Sequence, residues 1–282
     1  MPISLTIRRL LSIQPIDLPV FHPIALKLIH LLSDCDFTID ELASTANDDQ
    51  ALAGQILNMA NSSSYSGRVK VETIKDALIR LGAHHVSNLA MAASQAALHA
   101  SHNGTVNAIM QELWYHSHGC AVGCRWVAMN AGHRALAEQA YLAGLLHDVG
   151  KLYLIKALER ITNAGVAHAA LEREPLLEIF GELHVEQGTR LMEHWNMPAV
   201  YRIAVDRHSS EYFDPEDKVL VIVRLVNAVA RTCGLSLVPP EPDQTLMELP
   251  EAVLLGLSEQ QFTELVRVLE ESRRISFLPS PS

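Results

Sequence analysis

Ala143-Gly144-Leu145-Leu146-His147-Asp148-Val149-Gly150-Lys151 sets an imidazole and a carboxylate side by side within a run of apolar and small residues. A helix of that composition belongs in a core. Burying a carboxylate there is costly unless a cation or hydrogen-bond donors meet it. Two arrangements answer that cost. A divalent ion could take His147 as one ligand and Asp148 as a second that also bridges to a neighbouring ion. Alternatively, Asp148 pairs with Lys151 or with an arginine. Gly150 permits close approach of another backbone, and Lys151 offers a cation to a phosphate.

Outward from this segment, further histidines fall on neighbouring helical patterns. His116 and His118 lie in Trp114-Tyr115-His116-Ser117-His118, on the long pattern that precedes it. Two positions apart is about 200° around a helix, so only one of them faces any given site. His184 follows Gly181 and is read as opening a helix that runs to Trp195, and His208 ends the pattern Tyr201–Arg207. Any one of these alone reads better as a hydrogen-bonded or surface histidine. The ordered set is harder to dismiss.

The periodicity is helical throughout, and strand-like alternation is essentially absent. Helices are expected over Ile24–Leu32, after an N-cap at Thr38 with Glu41 completing a capping box, over Asp49–Met59, and from Thr73 to Leu81, where Gly82 stops the pattern. The polar cluster Asn61–Gly67 breaks the chain between the last two. Later patterns cover Val106–Met129, Ala135–Tyr153 without interruption, Glu159–Leu171, His184–Trp195, Ala199–Arg207 and Lys218–Thr232. Pro239, Pro240, Pro242 and Pro250 argue for an irregular connection. Ser258 with Gln261 then caps a last helix, Glu259 to about Glu271. Three segments result: an N-terminal helical lobe over 1–100, a lobe over 105–234 carrying the histidines, and a Pro-rich connection with a C-terminal helix over 235–282.

Hydrophobic residues are 49% of the chain and aromatics 5%, a balance that favours helices packed through small side chains over a β-sandwich. A net charge of −10 with no Lys/Arg run disfavours nucleic-acid binding. No stretch reaches the length of a membrane span, and the start of the chain does not read as a signal peptide. Cys35, Cys120, Cys124 and Cys233 show no framework spacing, which fits a reduced cytoplasmic setting. Cys120 and Cys124, one turn apart, could suggest a metal pair. Two buried thiols on one apolar face is the preferred reading.

The order His116, His147-Asp148, His184, His208 resembles the HD superfamily of metal-dependent phosphohydrolases, particularly its HD-GYP branch. The closer resemblance is to the HDOD domain, the HD-related output domain of bacterial signalling proteins. It is carried by Asp49–Ala53, Ile56–Ser62, Ala77–Gly82, Leu113-Trp114, Gly144–Lys151, Gly188, Trp195–Pro198 and Asp206–His208, and spans about residues 15–232. The resemblance implies an all-α, HD-domain-like multi-helix bundle with an N-terminal helical lobe. It implies a divalent metal (Fe, Mn, Mg, Ni or Zn), one ion in preference to two, with no organic cofactor. It names His116, in preference to His118, with His147, Asp148, His184 and His208 as ligands.

Departures from the pattern bear on chemistry. Asn227 stands where the HD pattern ends in an aspartate ligand, so that place brings a carbonyl oxygen but no charge and no base. His208 is followed by Ser209 where HD-GYP proteins carry a second histidine, and no GYP signature is present. Glu182 or Glu186 could compensate, or could simply face solvent. The preferred reading is a regulatory output module whose partners are signalling proteins. The other is a phosphohydrolase acting on a nucleotide or cyclic dinucleotide. In it, the ion held by His147 and Asp148 acidifies the attacking water, Asp148 and Lys151 are catalytic, and Lys151 with Arg207 neutralises phosphoryl charge.

Overall fold

The computed structural model describes residues 7–9, 11, 21–33, 37–61, 70–163, 171–238 and 245–273. They form helices and connecting turns, with no strand among them. Described residues from 21 to 98 make one compact unit. Those from 99 to 273, together with 7–9 and 11, make the other. No described helix is long and apolar enough to cross a membrane.

The first unit contains α1 (Pro23–Ser33), α2 (Ile39–Asn47), α3 (Gln50–Ala60), α4 (Ile74–Leu81) and α5 (Ala83–Leu98). Its helices start where short polar side chains can take the first free backbone N–H groups. Thr38 accepts from Glu41 N, Asp49 from Leu52 N and Thr73 from Asp76 N. Only half of the expected capping box at Thr38 forms among the described residues, since Glu41 stays exposed and does not reach back. At Gly82, φ is 88°, and the chain turns there and immediately starts α5, a 16-residue helix that the pattern ending at Leu81 does not anticipate. The break expected over Asn61–Gly67 lies, from Ser62 on, outside the described residues. Asn61 ends α3 and ties it to Val71, accepting from its N–H and donating to its carbonyl.

The second unit is built on α6 (Gly104–Asn130), which packs along α7 (Ala137–Leu146) and against α11 (Lys218–Thr232) and α13 (Glu259–Ser272). Small residues set the spacing. A Cβ at Gly144 of α7 would meet the Cys120 carbonyl oxygen and the Cys124 sulfur at 2.8 Å. On the other side of the core, α8 (Val149–Asn163) crosses α9 (Arg173–His194) where Gly150 meets Gly188. A Cβ on Gly150 would overlap the carbonyl oxygen of His184. The close backbone approach expected at Gly150 is therefore what the fold uses it for.

Four expected elements differ. The pattern over Ala135–Tyr153 is not one helix: α7 stops at Leu146, His147 and Asp148 form a turn, and α8 begins at Val149. The two polar residues leave the helical register at the point where they must reach other donors. His184 does not open a helix but lies in the interior of α9, because Gly181 sits on an exposed face with open space around it and only weakens the helix. The pattern over Glu159–Leu171 is the end of α8 as far as Asn163, and residues 164–170 lie outside the described set. After α10 (Ala199–Arg207) and α11, Pro250 opens the short α12 (Pro250–Leu255) instead of continuing a loop. The first turn has no use for its missing N–H. Pro239, Pro240 and Pro242 lie outside the described residues. Ser258 and Gln261 complete the reciprocal box at the start of α13.

Candidate metal centre

Five side chains from four places in the second unit meet at the turn between α7 and α8. His147 and Asp148 come from the turn itself, His116 from the middle of α6, His184 from α9, and His208 from the C-terminal end of α10. His116, His147, Asp148 and His208 are buried, Asp148 being 2% exposed, and His184 is nearly so.

The carboxylate stands between two pairs of imidazoles. Its Oδ2 lies 3.3 Å from His116 Nε2, 3.5 Å from His147 Nε2 and 2.5 Å from Lys151 Nζ. Its Oδ1 faces His208 Nε2 at 3.5 Å and His184 Nε2 at 3.7 Å, and has no hydrogen-bond partner although it is buried. An anionic oxygen in that state is expensive. Those two distances are long for hydrogen bonds and suit atoms that share a cation.

The histidines are preset for the same task. His116 Nδ1–H donates to the Leu235 carbonyl at 2.5 Å, His147 Nδ1–H to Gly144 at 2.8 Å, His184 Nδ1–H to Phe180 at 2.5 Å and His208 Nδ1–H to Val205 at 3.0 Å. A carbonyl can only accept, so in each ring the proton sits on Nδ1 and the lone pair is left on Nε2, the arrangement of a metal-ligating histidine. These lone pairs then confront one another. His116 and His147 present Nε2 atoms 3.1 Å apart, and His184 and His208 present theirs 3.3 Å apart. Only a shared proton or a cation makes such a pairing favourable. The donor set therefore fits a divalent metal, held by His116 and His147 on one side of Asp148 and by His184 and His208 on the other.

The charge states divide. Burial alone would raise the Asp148 carboxyl, but Lys151 and the surrounding imidazoles outweigh it and hold it well below the usual carboxylate range. Burial pushes His147 well below the ordinary imidazole value and His184 down to about 4, so both are neutral and ready to ligate. His116 differs. Burial opposes its charge, yet Cys120 and Asp148 beside it raise it to about 10. In the metal-free cluster the proton between His116 and His147 therefore belongs to His116.

The remaining expected residues divide. His118 turns away from the cluster and stacks on Trp114 with ring centroids 5.3 Å apart. Lys151 pairs with Asp148, so the carboxylate has both a lysine and a set of possible metal ligands around it. Asn227, on α11, is buried and shares with His208 the lining of a pocket of about 300 Å³ that also includes Arg224 and Arg231. Arg207 is not brought to the cluster: its exposed guanidinium pairs with Asp206 at 2.7 Å. Glu186 pairs with Arg8 at the surface at 3.3 Å, and Glu182 is exposed. Neither compensates for Asn227.

Cys120 and Cys124 are both buried thiols, as read from the sequence. Cys120 in addition has its sulfur 3.8 Å from His116 Nε2 and forms a close group with His116 and His147. Its spacing of four from His116 is the signal that places the two on one helical face.

The HDOD domain family matches residues 18–211. Among solved structures, the chain is similar to an HDOD domain protein of unknown function from Geobacter sulfurreducens (22% identity, 96% of each chain covered, TM-score 0.74). It is also similar to a Shewanella amazonensis SB2B protein provisionally named a metal-dependent phosphohydrolase (18% identity, 96% of this chain and 97% of that one, TM-score 0.70). A Marinobacter aquaeolei VT8 protein provisionally named for signal transduction is 25% identical over 95% of this chain and 64% of its own, with a TM-score of 0.68. An uncharacterised protein of Treponema pallidum (strain Nichols) is 22% identical over 206 residues, 71% of this chain, and the match spans 39% of that relative's length.

Proposed function

The chain belongs to the HDOD family, and on that premise we propose that it is a cytoplasmic bacterial signalling module whose buried His/Asp cluster binds a divalent metal and turns over no phosphodiester. The observation that carries the metal is the unpartnered Asp148 Oδ1 faced by His184 and His208, with two more imidazoles on the other oxygen. Bound there, the ion would give the imidazole Nε2 atoms around the carboxylate a common partner, in place of the proton between His116 and His147.

Three features favour binding over catalysis. The donors are almost wholly buried, which keeps them from solvent. The Lys151 ammonium is already paired with Asp148, and Arg207 points to solvent, so neither cation expected for phosphate stands ready. Asn227 brings neither the negative charge nor the proton acceptor of the aspartate it stands for. The module would then act on signalling proteins through its helical surfaces, with the metal as a structural or sensory element.

The test is the metal content of the protein as purified, followed by assay of a generic phosphodiester and of cyclic dinucleotides with added Mn²⁺. Bound metal without turnover is expected. Turnover that vanishes in Asp148→Ala would establish a hydrolase instead. Protein that neither carries nor takes up a divalent ion would overturn the metal site. The hydrolase is the second reading because the pocket beside His208, lined by Asn227, Arg224 and Arg231, offers a place for an anionic group next to the cluster.

A further inference from the structure

We infer that Cys120 is a metal ligand of the half of the site formed by His116 and His147, and that its thiolate makes this half selective for a soft, zinc-like ion. The inference rests on the metal-binding reading above and adds the donor that decides which metal binds.

Cys120 lies one turn after His116 on the same face of α6, fully buried. Its sulfur is 3.8 Å from His116 Nε2, and His116 Nε2 is 3.1 Å from His147 Nε2. Donor atoms of all three residues lie within 4.8 Å of one another. With metal–nitrogen and metal–sulfur bonds of about 2.1 and 2.3 Å, two donors on one tetrahedral ion stand roughly 3.3–3.6 Å apart. The separations of 3.1 and 3.8 Å stand on either side of that range, and the sulfur, 3.9 Å from His116 Nδ1 as well, has to move toward the Nε2 side of the ring to ligate. Asp148 Oδ2 lies 3.3 Å from His116 and 3.5 Å from His147, outside the group that Cys120 joins and already paired with Lys151.

Charge points the same way. The late aspartate of the HD pattern is replaced by Asn227, so one negative ligand is gone from the set. A thiolate restores it, and ligation releases to solvent both the thiol proton and the proton that His116 Nε2 carries in the metal-free cluster. The replacement is not neutral in kind, because sulfur favours zinc and disfavours the hard ions that oxygen donors hold. Cys124 is the internal comparison. It is one turn further along the same helix and equally buried, but its sulfur packs toward Gly144 and does not belong to the donor group.

Cobalt(II) added to the metal-free 282-residue chain is the probe, read by equilibrium dialysis for binding and by the near-ultraviolet thiolate-to-cobalt charge-transfer absorption. Wild type, Cys124→Ser, and a variant with Cys35, Cys124 and Cys233 all changed to Ser should show the absorption. Cys120→Ser should bind cobalt without it. Its Zn²⁺ affinity should fall by more than about tenfold, the least that loss of even an outer partner of a ligand brings. Its Mn²⁺ affinity should change less. Cobalt bound by wild type with no charge-transfer absorption would refute Cys120 as a ligand and leave the metal site standing. Survival of the absorption in Cys120→Ser would refute it too. No cobalt binding by wild type would remove the metal site and this ligand together. If Cys120→Ser fails to fold, the variant retaining only Cys120 still decides the matter.

Discussion

His116 and His147 face each other through Nε2 atoms 3.1 Å apart while their Nδ1 atoms are both committed to backbone carbonyls, Leu235 for one and Gly144 for the other. Neither ring can rotate to relieve the pairing without losing a buried hydrogen bond. The site is thus preorganised for a cation by the backbone around it.

Metal should therefore stabilise the fold by mass action. At a free ion concentration one hundred times its dissociation constant, the gain is about 2.7 kcal/mol. Thermal unfolding with EDTA and with added Zn²⁺ or Mn²⁺ measures it. Asp148→Asn should abolish the metal-dependent shift while keeping the far-ultraviolet helical signal. A shift of wild-type size in that variant would place the ion elsewhere.

Gly150 and Gly181 should respond to alanine with opposite signs. Gly150→Ala drives a Cβ into the His184 carbonyl oxygen, backbone against backbone, and should cost about 3 kcal/mol or more. It should also remove the metal-induced shift by displacing His184. Gly181→Ala, on the exposed face of the same α9, meets nothing within 4 Å and should stabilise by about 0.5–1 kcal/mol. Urea denaturation of the two variants settles the contrast.

The part-buried Arg224–Glu251 pair braces His208. Arg224 Nε donates to Glu251 at 2.6 Å, and its NH1 donates to the carbonyls of Arg207, His208 and Ser210. Glu251→Ala leaves that guanidinium without its counter-charge and should destabilise by about 2 kcal/mol. Metal affinity should fall along with it, measured by calorimetry at a temperature where the variant is still folded. Unchanged stability would show that the three carbonyls suffice alone.

Acid should unfold the metal-free protein partly through His118, which burial lowers to about 4. The folded state favours its neutral form. Its contribution is complete above the unfolded value near 6.5 and is lost as pH falls from there toward 4, about 3 kcal/mol in all. His118→Asn should flatten the stability profile across that window by up to about 1.4 kcal/mol per pH unit, measured in EDTA. An unaltered slope would assign the acid sensitivity to other groups.

What could be read in advance follows from how each residue announces itself. Asp148 was legible because a carboxylate amid Leu, Val and Gly has no cheap resting place. The helical architecture was legible because apolar residues recur with helical spacing and strand-like alternation is nearly absent. The turn at His147-Asp148 was not, since Ala, Leu and Gly run through it without a change of composition, and only the convergence of His184 and His208 shows why the helix must break. His184 was misplaced by giving Gly181 more weight than a solvent-facing glycine carries. Arg207 was assigned by its neighbourhood in sequence, which says nothing about the side of α10 on which it emerges. Cys120 was legible as a buried thiol, but its nearness to His116 needed the structure.

The Leu235 carbonyl that fixes His116 and the Arg224 guanidinium that ties down His208 both come from beyond residue 211, where the family match ends. A fragment trimmed to residues 18–211 would keep every candidate donor except the asparagine and would lose both props. It would inherit the formula of the site without its stiffness, and residue-by-residue likeness over that stretch is a poor guide to how firmly any relative grips an ion.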